Sequence, residues 1–158
     1  MTVFEGDLLA HGRRIAVVAS RFNEAIVRSL VDGATSCLAK HGVRGDDVDV
    51  AWTPGAFELP PVAGRLAASG AYDAVICLGA VVRGDTPHFD YVAAEAARGI
   101  AEAGRKAEIP VIFGVLTTDT FEQARDRAGG KHGNKGWDAA MAALEMVSLL
   151  ERLPKREG

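Results

Sequence analysis

"AVICLGAVVRGDTPHFDYVAAEAARGIAEAGRK", residues 74–106, decides the fold. Ala74-Val75-Ile76-Cys77-Leu78 is an apolar run of strand length with no charge on either face. Such a strand is buried on both sides, as in a parallel sheet between two layers of helices. The run gives way to Arg83-Gly84-Asp85-Thr86-Pro87-His88-Phe89, and Ala, Glu and Arg then recur at helical spacing as far as Lys106. One core strand, one polar loop and one helix follow directly upon each other.

The same unit repeats along the chain. Arg14–Ala19 reads as a first strand, followed by Ile26, Val27, Leu30, Ala34, Cys37 and Leu38 at helical spacing up to Gly42. Val48–Trp52 is a second strand, followed by a helix over Glu58–Ala68 that Ser69-Gly70 ends. After the helix over Phe89–Lys106 come a fourth strand, Ile109–Leu116, a short helix over Asp119–Ala128 and a longer one over Asn134–Leu153. Short connections and right-handed crossovers make this a single domain over residues 1–158. The predicted fold is α/β: a doubly wound, flavodoxin-like three-layer sandwich, with helices on both faces of a parallel sheet of strand order 2-1-3-4. Thr2–Gly6 reads as an additional strand that nothing in its own subunit needs.

Composition narrows the function. The 158 residues are 48% hydrophobic and 25% charged with a net charge of −3, so the total charge does not call for nucleic acid. No apolar stretch approaches a membrane span, and the start "MTVFEGDLLAHGRR" lacks a secretory pattern, so a cytoplasmic location is expected. Cys37 and Cys77 sit in apolar patterns and read as buried, reduced thiols. His11, His41, His88 and His132 lack metal-ligand spacing, so no metal is expected.

In a doubly wound sheet, ligands bind beyond the carboxyl ends of the strands. "SRFNEA" (20–25), "TPGAFELP" (53–60), "GDTPHF" (84–89) and "GVLTTDT" (114–120) lie there. Thr86-Pro87 suits a capped helix start. His88 adds nothing to a cap, and an imidazole at that place serves either acid/base chemistry or the surface. The backbone N–H groups of Gly84, Asp85 and Thr86 form either an anion cradle or an ordinary turn. Phe22 is either a staple on the following helix or a stacking platform for a heterocycle. Phe57 and Glu58 pose the same choice, and Phe113 belongs by default to the core. Arg127, Lys131, His132 and Lys135, among glycines, are either a solvated face or a phosphate clamp. Acidic residues of a receiver domain, a flavodoxin phosphate loop, GxGxxG and Walker A are all missing.

Together, "RFNEAIV", "PGAFELP", "GAVVRGDTPHFDYV", "FGVLTTDTFEQARDRAG" and "GNKGWDAA" resemble the lumazine synthase family over nearly the whole chain. The resemblance implies condensation of 5-amino-6-(D-ribitylamino)uracil with 3,4-dihydroxy-2-butanone 4-phosphate, the penultimate step of riboflavin biosynthesis, without cofactor or metal. It implies that His88 moves protons. It implies that Phe22, Ala56, Phe57, Glu58, Ala80, Val81, Val82 and Phe113 hold the ribitylaminouracil. It assigns the butanone phosphate to Asp85, Thr86, Arg127 and Lys135. Asp138 matches an acidic family position often filled by the longer Glu. The resemblance further implies homo-oligomers: pentamers, or shells of sixty subunits, with active sites shared between neighbours. In these the N-terminal strand pairs with a neighbouring subunit, and riboflavin synthase is an associated protein. No insertion separates the last two helices, which favours the shell. The competing reading is a non-catalytic binder of lumazine or riboflavin on the same scaffold; loss of His88 or Arg127 would favour it, and both are present.

Overall fold

The computed structural model describes residues 1–155. Its centre is a parallel sheet of four strands, β1 (Ile15–Ser20), β2 (Val48–Thr53), β3 (Ala74–Val82) and β4 (Val111–Thr118), in the order β2-β1-β3-β4. This is the order expected from the sequence. β1 is buried throughout and β3 up to its last residue, because both are central and covered on both faces. Alternate residues feed two cores. Val17, Ala19, Ile76 and Leu78 pack under α1 (Glu24–Lys40) and α5 (Lys135–Arg152). Ala16, Val18, Val75 and Cys77 pack under α2 (Leu59–Ala68) and α3 (His88–Lys106). Both cysteines are buried and free.

Several boundaries differ from the sequence reading. β3 runs on to Val82 rather than ending at Leu78, because Ala80, Val81 and Val82 pair with Leu116, Thr117 and Thr118. Ala80–Val82 are therefore strand, not loop. β4 starts at Val111, after Pro110, and reaches Thr118. The short helix shrinks to α4 (Phe121–Asp126), fixed by a capping box between Thr120 and Gln123. A small antiparallel hairpin follows, β5 (Ala128–Gly130) and β6 (Gly133–Asn134), which the glycines had concealed. The Asn134 side chain then caps α5 by accepting from the N–H groups of Gly136 and Trp137.

Thr2–Gly6 forms no strand within the chain. Its end, from Glu5 to Asp7, instead lies against α5. The Asp7 N–H donates to Ser148 Oγ at 2.7 Å, and Ser148 Oγ donates to the Asp7 carbonyl at 3.1 Å. Arg152 reaches the Glu5 carbonyl and the Asp7 carboxylate. Among the described residues, no helix is long and apolar enough to cross a membrane.

Candidate active site

Three strand ends build one cavity. Arg21 and Phe22 follow β1, and their N–H groups donate to the carbonyls of Thr53 (2.8 Å) and Pro54 (3.1 Å) after β2. Asn23 adopts a left-handed conformation (φ 60°), which Asn tolerates better than most residues. From there its side-chain amide donates to the Ala80 carbonyl at 2.8 Å. The β1 loop is thus sewn to both neighbouring strands. Phe22 is left 72% exposed, which rules out the helix staple. Phe57 is likewise 56% exposed, on the single helical turn Ala56–Glu58.

These aromatic rings border a cavity of about 750 Å³ that also touches Ala56, Glu58, Ala80, Val81, Val82, Gly84, Thr86, His88, Phe89, Tyr91 and Val92. β3 outruns β1, whose last partner on it is Leu78, so no strand covers the β1 side of Ala80–Val82. The backbone polar groups at that end that Asn23 does not take can meet a ligand's edge. His88 is the first residue of α3 and exposed. The expected Thr86 cap is absent: Pro87 holds the N-cap position, where no side chain caps the helix. No side chain caps the first N–H groups of α3, and that of Asp90 donates to the Pro87 carbonyl at 3.0 Å. Asp85 is exposed but does not border the cavity.

Arg83 anchors this loop, and the sequence reading did not single it out. Its N–H donates to the Thr118 carbonyl at 2.8 Å. Its guanidinium donates to Asp119 at 2.9 Å, stands 3.6 Å from Asp90 and lies 4.5 Å from the centre of the Phe89 ring. Two carboxylates hold its pKa above the ordinary arginine value, the Asp119 hydrogen bond first. Its charge is spent on the loop rather than offered to a ligand.

The remaining candidates lie elsewhere. Phe113, Arg127, Lys135 and Asp138 border a second cavity of about 400 Å³, together with Val115, Leu116, Thr117, Thr118 and His132. Phe113 is 40% exposed because β4 is an edge strand, which corrects its default placement in the core. Arg127 donates one guanidinium N–H to the Gln123 carbonyl at 3.0 Å, and the Lys135 N–H donates to the Arg127 carbonyl at 2.8 Å. Lys131 leaves the group, turning to Asp126 at 3.7 Å. The first cavity offers aromatic faces, backbone groups, a carboxylate and an imidazole, a set suited to a flat polar heterocycle and to proton transfer. The second offers cations beside an aromatic ring, a set suited to an anion. The two cavities share no residue. Among the described residues, no three His, Cys, Asp or Glu side chains gather as a metal site.

A doubly wound α/β protein with a cavity at the carboxyl ends of its strands is the class these features define. Residues 12–151 match the model of the 6,7-dimethyl-8-ribityllumazine synthase family. The proteins named 6,7-dimethyl-8-ribityllumazine synthase in two strains of Clostridium kluyveri are each 55% identical to the chain over 153 residues, 97% of this chain and 99% of each relative. The chain belongs to the 6,7-dimethyl-8-ribityllumazine synthase family, transferases of riboflavin biosynthesis.

Proposed function

We propose that this chain condenses 5-amino-6-(D-ribitylamino)uracil with 3,4-dihydroxy-2-butanone 4-phosphate, releasing 6,7-dimethyl-8-ribityllumazine, phosphate and water. The uracil stacks on Phe22, and its edge meets the backbone of Ala80–Val82. Ala56, Phe57 and Glu58 hold the ribityl chain. The primary amine attacks the ketone and loses water to form a Schiff base. Removal of the proton on C3 then expels phosphate from C4 and leaves an enol, which takes up a proton at C4 and becomes a ketone at C3; the ribitylamino nitrogen attacks that carbon and closes the second ring with loss of a second water. Each step moves a proton, and His88, exposed in the cavity, is the group that carries it. Positioning two reactants side by side supplies a large further part of the acceleration.

The observation that carries this reading is the separation of the cavities. The heterocycle pocket and the anion pocket share no residue, which fits a site completed by a neighbour's second cavity. A ring of identical subunits with head-to-tail contacts does this at every interface. Phe113 then closes over the neighbour's heterocycle, while Arg127 and Lys135 hold the phosphate next to Asp85 and Thr86. A pentamer, or a shell of such pentamers with riboflavin synthase as an associated protein, is the assembly proposed, in the cytoplasm. The edge strand β2, with Val50 exposed, accepts the segment around Val3 and Phe4 of the next subunit, both also exposed. No finding favours a non-catalytic binder. Mixing the two substrates with the protein and following lumazine absorbance tests the reaction. Absorbance rising no faster than in the protein-free mixture refutes it.

A further inference from the structure

We infer that His132 is a titratable third cation of the β4 cavity, which makes the phosphate group bind more tightly as the pH falls through the histidine range. The inference rests on the reading of this cavity as the phosphate site. Its charged lining is Arg127, Lys135, His132 and Asp138. With a neutral imidazole, two cations and one carboxylate leave a single net positive charge. A phosphate monoester carries about −1.5 to −2 near neutral pH, and one positive charge does not match it. Protonation of His132 brings the lining to two positive charges, which does.

The geometry leaves that imidazole available. The His132 backbone is fixed, its N–H donating to the Asp126 carbonyl at 2.8 Å in the turn between β5 and β6. Its ring has no hydrogen bond or ion pair among the described residues, and it borders the cavity. Lys131, the adjacent cation, is drawn off to Asp126, so it neither fills the place of His132 nor leaves Asp126 free to pair with the ring. The other charges around the hairpin are Arg125 on α4, Lys135 and Asp138 on α5, and Asp32 in the α1 turn that packs on Asn134 through Gly33. Asp119, at the end of β4, is held by Arg83. The turn therefore presents a positioned but unpartnered ring to an anion pocket that lacks one charge.

Equilibrium dialysis of radiolabelled inorganic phosphate against the assembled protein tests this, comparing wild type with His132→Gln. The part of phosphate's own ionisation that affects both proteins alike drops out of the ratio of the two affinities. The ratio should stay within about twofold near pH 8 and grow to about three- to tenfold near pH 6, between the effects of an exposed ion pair and a charge-assisted hydrogen bond. His132→Arg, with its charge permanent, should bind more tightly than wild type near pH 8. A ratio that does not change with pH overturns the inference, and so does a His132→Arg protein no tighter than wild type near pH 8. Arg127→Ala separates the two readings. If it binds phosphate like wild type at both pH values, the cavity is not the phosphate site. If it loses binding while His132→Gln follows wild type, only the role of His132 fails.

Discussion

Replacing Gly136 by alanine tests the packing that sets the cavity along β4. Gly136 is buried in the first turn of α5, where an added Cβ would stand 1.9 Å from the Leu30 carbonyl oxygen and 2.6 Å from its carbon. These are backbone atoms of α1, so no side chain can swing aside. α5 must lift from α1 by roughly 1 Å or more to reach ordinary contact. Overpacking of this kind costs about 1–3 kcal/mol, and more when backbone has to move, while alanine returns about 1 kcal/mol of helix propensity. A net loss of about 2 kcal/mol lowers the unfolding midpoint by roughly 4–8 °C in a chain of this size. The same lift carries Lys135 and Asp138 away from Arg127, so phosphate affinity falls as well. Thermal unfolding followed by circular dichroism gives the first effect and phosphate dialysis the second. Gly64→Ala is the control: Gly64 lies in α2, and its added Cβ would meet nothing within 4 Å. That variant should gain up to about 1 kcal/mol from helix propensity alone. A Gly136→Ala protein as stable as wild type would refute the close approach of the two helices.

Three more outcomes are expected. His88→Ala and Arg127→Ala should each be nearly inactive alone, whereas rings co-assembled at random from equal amounts should pair both intact residues at roughly a quarter of their interfaces and recover activity accordingly. Mass spectrometry must show mixed rings, and mixed rings without recovered activity would mean that both residues serve a site within one chain. Phe22→Ala should weaken heterocycle binding by about 1–3 kcal/mol in a calorimetric titration, the scale of base–aromatic stacking; undiminished affinity in a folded protein removes Phe22 from the site. Burial pushes the Cys37 thiol up to about 11 and the Cys77 thiol up to about 12. The unfolded chain releases those protons near pH 8.5 and the folded chain retains them, so stability falls as the pH rises above about 9. Urea unfolding under reducing conditions between about pH 8 and 10 should show this, and a Cys37→Ala, Cys77→Ala double variant should lose that part of the slope.

Periodicity made the sheet legible. Continuous apolar runs at 15–19 and 74–78 read as strands covered on both faces and are central, and the more polar "VDVAW" went to an edge. The end of β3 was not legible, because strand length there depends on pairing with β4, a partner distant in sequence. The β5–β6 hairpin was hidden because glycines carry no side-chain pattern. Phe22 and Phe57 show in the sequence as aromatic residues in polar loops, an arrangement with little meaning in a core. Phe113 gave no such signal, since its strand reads as apolar and only its edge position exposes it. Arg83 went unremarked because its role depends on Asp90 and Asp119, and Asp119 reaches it only through the fold.

The strap between the N-terminal segment and α5 has a consequence for how the chain may be cut and joined. Asp7 touches Ser148 and Arg152, and Arg13 pairs with Glu151, so the stretch that leads into β1 and the last turns of α5 meet on one face, away from the strand-end loops. A short peptide linker can bridge them. The backbone can then be opened elsewhere, at an exposed turn such as Ser69–Ala71 between α2 and β3, without moving any strand from its place in the sheet. The order in which residues are threaded is thus separable from the architecture they adopt.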